Sequence, residues 1–195
     1  MTMPDRLRLP LSFDPNALRR DLEALTAIDW TAHFVTQNYE GDWSVIPLRG
    51  PAGALHPIQM IYADPAATAF ADTPYLGGCP YFLSVISTFR CDIQCVRLMR
   101  LTPGSAIKEH RDYDLDAERG VARIHIPITT NPGVVFEVNR MPVTMAPGEA
   151  WYLRLTDPHR VINGGTTDRV HLVLDAVVND WMTEMLEQAR ALQPA

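Results

Sequence analysis

Between residues 87 and 178 this chain is broken at short intervals by Pro and Gly, and the stretches between the breaks alternate. The clearest is ARIHIPIT (122–129), where an extended backbone puts Arg123 and His125 on one side and Ile124 and Ile126 on the other. STFRCDIQCVRLMRL (87–101) reads as one long strand. GVVFEVN (133–139), AWYLRL (150–155), HRVIN (159–163) and RVHLVLDAVV (169–178) read as shorter ones. Short strands at regular spacing, separated by turn signals, fold as a β-sandwich or barrel.

Helices flank this region. In DPNALRRDLEALTAIDW, Asp14 is placed to cap, Pro15 suits the first helical position, and Leu18, Leu22, Leu25 and Ile28 make one apolar stripe. In NDWMTEMLEQARAL, Asp180 is the expected cap and Trp181, Met185, Ala189 and Leu192 the expected inner face, with QPA ending the helix. Residues 40–85 are loop-rich. The expected organisation is a single domain over 1–195: an N-terminal α/β portion over about 1–86, a β core over about 87–178 and a C-terminal helix over about 180–192.

Composition narrows the partners. The net charge of −6 lacks the basic surface of a nucleic-acid binder and disfavours attachment to a membrane surface. No apolar run approaches the roughly 20 residues that span a bilayer, and the start MTMPDRLRLPLSFDP lacks a secretory apolar segment. The expected location is the cytoplasm. Cys79, Cys91 and Cys95 are odd in number and irregularly spaced, so they read as reduced, packed thiols. Nothing in the sequence sets the oligomeric state.

The densest run of charge, KEHRDYDLD (108–116), holds His110 and Asp112 two residues apart. In extended chain such residues project to one side about 6.6 Å apart. Taken alone, the pair is equally a loop histidine beside a surface acid and two ligands for one metal. Imidazole plus carboxylate suits a borderline divalent ion such as Fe(II), and a further His would complete a facial triad.

That His should come from another strand. NGGT (163–166) is a strong turn signal between two strand-like runs. A hairpin centred near Gly165 sets His159 opposite His171 and Val161 opposite Arg169, all on one face. Arg169 is then a diagonal neighbour of His159, about 7–8 Å away. A buried guanidinium needs a partner, and a carboxylate is the natural bidentate one. A five-carbon diacid chelating a metal through its 1-carboxylate and 2-oxo group would extend its far carboxylate toward Arg169.

The segments EHRDYDLD, ARIHIPITTNPGVVFEVN, PGEAWYLRL and PHRVINGGTTDRVHLVLD, with WSVIPLRGPAG upstream, resemble the aspartyl/asparaginyl β-hydroxylase family, in particular its short bacterial branch. The resemblance covers roughly residues 40–178. It implies a mainly β double-stranded β-helix (cupin-like jelly roll) with flanking helices, Fe(II), and 2-oxoglutarate as cosubstrate. It makes His110, Asp112 and His159 the iron ligands and Arg169 the partner of the far carboxylate of 2-oxoglutarate. Arg123 and His125 match the family's Arg-x-His strand and are expected to line the same pocket. His125 would meet the 1-carboxylate of 2-oxoglutarate; Arg123 would do that or hold a substrate carboxylate.

The expected activity is hydroxylation of an aliphatic C–H bond in an amino acid, an amino-acid derivative or a peptide residue. Trp43, Arg97, Arg111, Tyr113, Asn139 and Trp151 are candidate substrate contacts, each equally a core, rim or surface residue. His171 is expected to pack near the cosubstrate; His33 and His56 are expected to be structural. Two other classes remain open. One is a cupin-like metalloenzyme that does not use 2-oxoglutarate. The other is a non-catalytic small-ligand-binding cupin.

Overall fold

In the computed structural model, residues 3–61 and 66–193 are described. The elements in chain order are β1 (Arg6–Ser12), α1 (Pro15–Ala24), β2 (Thr31–Ala32), β3 (Tyr39–Glu40), β4 (Trp43–Pro51), α2 (Pro57–Ile61), β5 (Phe70–Asp72) and α3 (Pro80–Thr88). There follow β6 (Ile93–Leu101), β7 (Ala106–His110), β8 (Val121–Thr129), β9 (Val134–Val138), β10 (Met141–Pro142), β11 (Glu149–Leu153), β12 (His159–Asn163), β13 (Arg169–Val177) and α4 (Asp180–Leu192). Among the described residues the strands form two sheets. The larger runs β1-β11-β8-β13-β6-β4-β2, with β5 on β4, and the smaller runs β10-β9-β12-β7-β3. The fold is mainly β with flanking helices, a double-stranded β-helix jelly roll.

The larger sheet is buried on both faces, and its alternation decides what each face does. On β13 the even-numbered Val170, Leu172, Leu174 and Ala176 join a core with Leu18, Phe82, Val85, Met182 and Leu186 of α1, α3 and α4. Ile124, Ile126 and Ile128 of β8 and Val96 and Leu98 of β6 reach the same core. Burying each of the Val, Leu, Ile, Phe and Met side chains among them contributes about 1.5–3 kcal/mol. The odd-numbered residues turn the other way, toward the smaller sheet. There Met99, Leu101 and Val173 pack with Ile107, Phe136, Val138 and Val161 in a second cluster.

Several sequence expectations are corrected in detail. The strand expected from residue 87 starts at Ile93, because PYFLSVIST winds into α3 behind Pro80 and ends at Thr88. That helix is apolar on nearly all sides, so it carries no periodic signal against the loop-rich background. Asp14 caps α1 as expected, accepting from the Asn16 amide. The cap of α4 is Asn179, not Asp180, and its buried face is Met182, Leu186 and Ala189, leaving Leu192 exposed. Gln193 follows that helix; the last two residues of the QPA tail, and residues 62–65, lie outside the described set. No described helix is long and apolar enough to cross a membrane.

The largest correction concerns the expected hairpin across NGGT. β12 pairs with β7 and β9 in the smaller sheet, whereas β13 pairs with β6 and β8 in the larger one. His159 therefore opposes His110, and His171 opposes Met99 and Pro127. The NGGT segment is a crossover between sheets, and Asn163 fixes it. Its fully buried amide donates to the Leu101 and Thr167 carbonyls, each at 2.9 Å, and its oxygen accepts from Asn131 and the Gly165 amide. A Cβ on Gly133 would sit 2.5 Å from the Gly165 nitrogen, so only glycine admits this close crossing of backbones.

Asn163→Ala strips partners from the buried Leu101 carbonyl and from the half-buried Gly165 amide at this crossover. It is expected to lower unfolding free energy by about 2–4 kcal/mol in urea denaturation. A loss below about 0.5 kcal/mol would show that the crossover is held by other contacts.

Candidate metal centre and active site

Three side chains meet at one edge of the interior. His110 is the last residue of β7, and His159 is the first of β12, directly across the ladder. Asp112 lies in the turn after β7 rather than on a strand, and its amide donates to the Leu155 carbonyl at 2.8 Å. A ligand atom from each of His110, Asp112 and His159 lies within 4.8 Å of the other two, the separation expected around one ion.

The imidazoles are set up to act as ligands. His110 Nδ1 lies 2.7 Å from the Lys108 carbonyl and His159 Nδ1 3.0 Å from the Asp157 carbonyl. A carbonyl only accepts, so each Nδ1 carries the proton and each Nε2 keeps a free lone pair. Burial, reinforced by the neighbouring His110, pushes the His159 pKa down to about 4, so that ring is neutral near pH 7. His110 Nε2 lies 3.8 Å from Asp112 Oδ1. Two imidazoles whose Nδ1 atoms face backbone carbonyls, and a carboxylate with an open side, fit a divalent ion that must also bind other ligands.

These residues open onto a cavity of about 560 Å³. Arg169, His125 and Asp175 line it from the inner face of the larger sheet, and Phe136 and Val161 from the smaller sheet. Arg169 is 2% exposed and has no carboxylate within ion-pair distance among the described residues. Its Nη2 donates to His171 Nδ1 at 2.9 Å, the Phe136 ring lies 5.6 Å away, and its Nε is buried without a partner. Burial pulls its pKa down to about 9, which still leaves a cation at neutral pH. His125 Nε2 is also buried and unpartnered on this wall. Burial and then Arg169 push His125 and His171 well below the usual histidine range, so both rings are neutral.

Arg123 and Arg97 are placed differently from Arg169. Both are held by Asp175, which is 1% exposed: Arg123 Nε and Nη2 donate to it at 2.6 and 2.9 Å, and Arg97 Nη2 donates at 2.7 Å. Arg123 Nη1 also donates to Asp112 Oδ2 at 3.2 Å. Burial pushes the Asp175 carboxyl up, but Arg123 and Arg97 together override this and hold it below the usual range. The anionic partner expected for Arg123 is thus already supplied within the protein.

Sequence reading passed over Asp175, although it shares the odd-numbered face of RVHLVLD with Arg169 and His171. It also left His33 as structural. His33 lines the cavity, stacked on Trp43 at 3.6 Å between ring centres, and burial and then Arg97 push its pKa down to about 3. Trp43 also lines the cavity, with its indole N–H buried and unpartnered. Arg111 and Tyr113 lie at the exposed rim; Arg111 donates to the Thr156 carbonyl, and Tyr113 is 70% exposed. Trp151 lies off the cavity, with its indole donating to Glu149, and Asn139 ties Asp5 to Asp157 away from it. His56 is exposed, its Nδ1 accepting from the Ile58 amide.

A jelly roll with two histidines and an aspartate converging at the mouth of such a cavity defines a candidate mononuclear metal centre of the cupin-like class. The sequence profile of the aspartyl/asparaginyl beta-hydroxylase family matches residues 14–178, and the chain belongs to that family. L-proline cis-4-hydroxylase from Rhizobium meliloti (strain 1021) is 28% identical over 167 residues, which are 85% of this chain and 58% of that protein. Among solved structures, a Pseudomonas putida prolyl-4-hydroxylase aligns over 90% of this chain and 93% of its own, with TM-score 0.56 and 12% identity. The non-heme alpha-ketoglutarate-dependent carbocyclase SnoK of nogalamycin biosynthesis aligns over 89% and 79%, with TM-score 0.58 and 10% identity. These two likenesses concern the fold.

An unpaired buried cation destabilises the ligand-free protein. Arg169→Met is therefore expected to raise its unfolding free energy by about 1–3 kcal/mol while abolishing any rise in melting temperature on adding 2-oxoglutarate. A destabilised variant that still responds to the diacid would show that Arg169 is structural.

Proposed function

We propose that the protein is a non-heme Fe(II)- and 2-oxoglutarate-dependent dioxygenase that hydroxylates an aliphatic C–H bond of a small amino acid, a derivative of one, or an amino-acid residue. The observation that carries this reading is Arg169, a fully buried guanidinium without an acid partner among the described residues, in the same cavity as His110, Asp112 and His159. A metalloenzyme without a diacid cosubstrate has no use for that cation, and its burial would be an uncompensated cost. Membership of the family and the likeness to L-proline cis-4-hydroxylase support both the chemistry and the substrate class.

His110, Asp112 and His159 would hold the iron. Bound there with 2-oxoglutarate and O₂, it would supply the oxidising power to place one oxygen atom on a C–H carbon, releasing succinate and CO₂.

The rest of the site orients the reactants and keeps the cavity dry. Arg169 would receive the far carboxylate of 2-oxoglutarate through its unpaired N–H groups, with His171 locking the guanidinium plane from behind. His125, with Nε2 buried and unpartnered, would line the place of the near carboxylate. Phe136, Val161, Ile107 and Met99 exclude water from the path between. Arg97, held by Asp175 through one nitrogen and lining the cavity, offers a cation suited to a substrate carboxylate.

Asp112→Ala removes the one anionic ligand and leaves the strands unchanged. Substrate-dependent succinate formation is expected to fall to background while far-UV circular dichroism stays that of the parent. Turnover at the parent rate would refute the three-residue centre.

A further inference from the structure

Asp112 is the least constrained of the three candidate ligands by its own element. It lies on a turn, and its side chain is 32% exposed, against 13% for His110. The described side chains within ion-pair reach of it are His110 and Arg123. Arg123 has two edges in use. One, Nε with Nη2, grips both oxygens of Asp175 at 2.6 and 2.9 Å. The other gives a single N–H, from Nη1, to Asp112 Oδ2 at 3.2 Å, while Oδ1 faces His110 Nε2.

From this geometry we infer that Asp175 is a positioning residue for the metal centre: it restrains Arg123, so that Arg123 engages only one oxygen of Asp112 and leaves the other for the ion. The reasoning is competitive. A guanidinium prefers a bidentate carboxylate, and Arg123 has two carboxylates within reach. With Asp175 present, the fork is satisfied on the buried acid and a single N–H is left for the ligand. Without Asp175, the same fork has one anion left to grip, Asp112. Bidentate pairing there takes both oxygens and sets a fixed positive charge against the incoming cation. Arg97 also loses its partner in that case, but it makes no ion pair with Asp112. Residues behind metal ligands commonly alter metal affinity by about 10- to 100-fold, and Asp175 acts through the same kind of contact.

The inference rests on the metal-centre reading, and two charge-balanced variants separate the two claims. Arg97→Gln/Asp175→Asn and Arg123→Gln/Asp175→Asn each remove one cation with the one anion. They differ only in which arginine stays. Mn(II) affinity of the metal-free proteins would be read by electron paramagnetic resonance, with thermal melting as the check on folding.

The variant that keeps Arg123 is expected to bind Mn(II) at least about tenfold more weakly than the variant that keeps Arg97. Equal affinities would overturn the inference, because a merely structural role for Asp175 affects both alike. If Arg97→Gln/Asp175→Asn does not fold, the single Asp175→Asn measured against Arg123→Gln/Asp175→Asn carries the same expectation. Failure of the parent protein to bind Mn(II) would instead overturn the metal-centre reading, and the inference with it.

Discussion

Burial of the larger sheet on both faces is the constraint from which the rest of the structure follows. One face is satisfied by apolar packing against α1, α3 and α4. The other carries Arg97, Arg123, His125, Arg169, His171 and Asp175, all buried, and every polar atom there needs a partner inside the protein. Two arginines and one carboxylate satisfy each other around Asp175. Arg169 and His125 do not achieve this; each keeps an unpartnered buried nitrogen. Such groups persist in a folded protein when a ligand completes them, and the local cost is the mark of a binding site.

The smaller sheet supplies what the larger one lacks. Its inner face is apolar at Ile107, Phe136, Val138 and Val161, and its histidines stand at the strand ends, where β7 finishes and β12 begins. The cavity thus runs between a polar wall and an apolar one, with the two imidazoles and Asp112 nearer solvent and Arg169 deep inside. The crossover at Asn163 makes this possible: ten residues of chain carry His159 on one sheet and Arg169 on the other.

Much of this was legible in the sequence. The alternation in ARIHIPIT and RVHLVLDAVV gave correct faces, because a two-residue period survives whatever the strands pair with. Residues His110, Asp112, His159 and Arg169 were singled out together, and the structure brings all four to one cavity. A hairpin does not account for their nearness, because β12 and β13 lie in different sheets. NGGT has the composition of a hairpin turn, yet the close glycine contact at Gly133 and the buried Asn163 send the chain across to the other sheet. Local composition reports that a chain turns, not which sheet it enters. The ion-pair network at Asp175 escaped notice for a related reason. Its arginines lie 52 and 78 residues away in sequence, and only strand order brings them together. The place of His33 at the cavity was not legible, because its stack on Trp43 depends on the path of a loop without periodicity.

One cavity joining a metal site to an arginine reserved for a distant carboxylate is the central claim. Anaerobic calorimetry of the Mn(II)-loaded protein with a series of 2-oxo acids tests it most directly. The five-carbon diacid, 2-oxoglutarate, is expected to bind about a hundredfold more tightly than 2-oxobutyrate, which keeps the chelating end and lacks the far carboxylate, since each hydrogen bond to a charged group is worth about 1.5–3 kcal/mol and a guanidinium offers two to a carboxylate. Equal affinity for the two acids would contradict it.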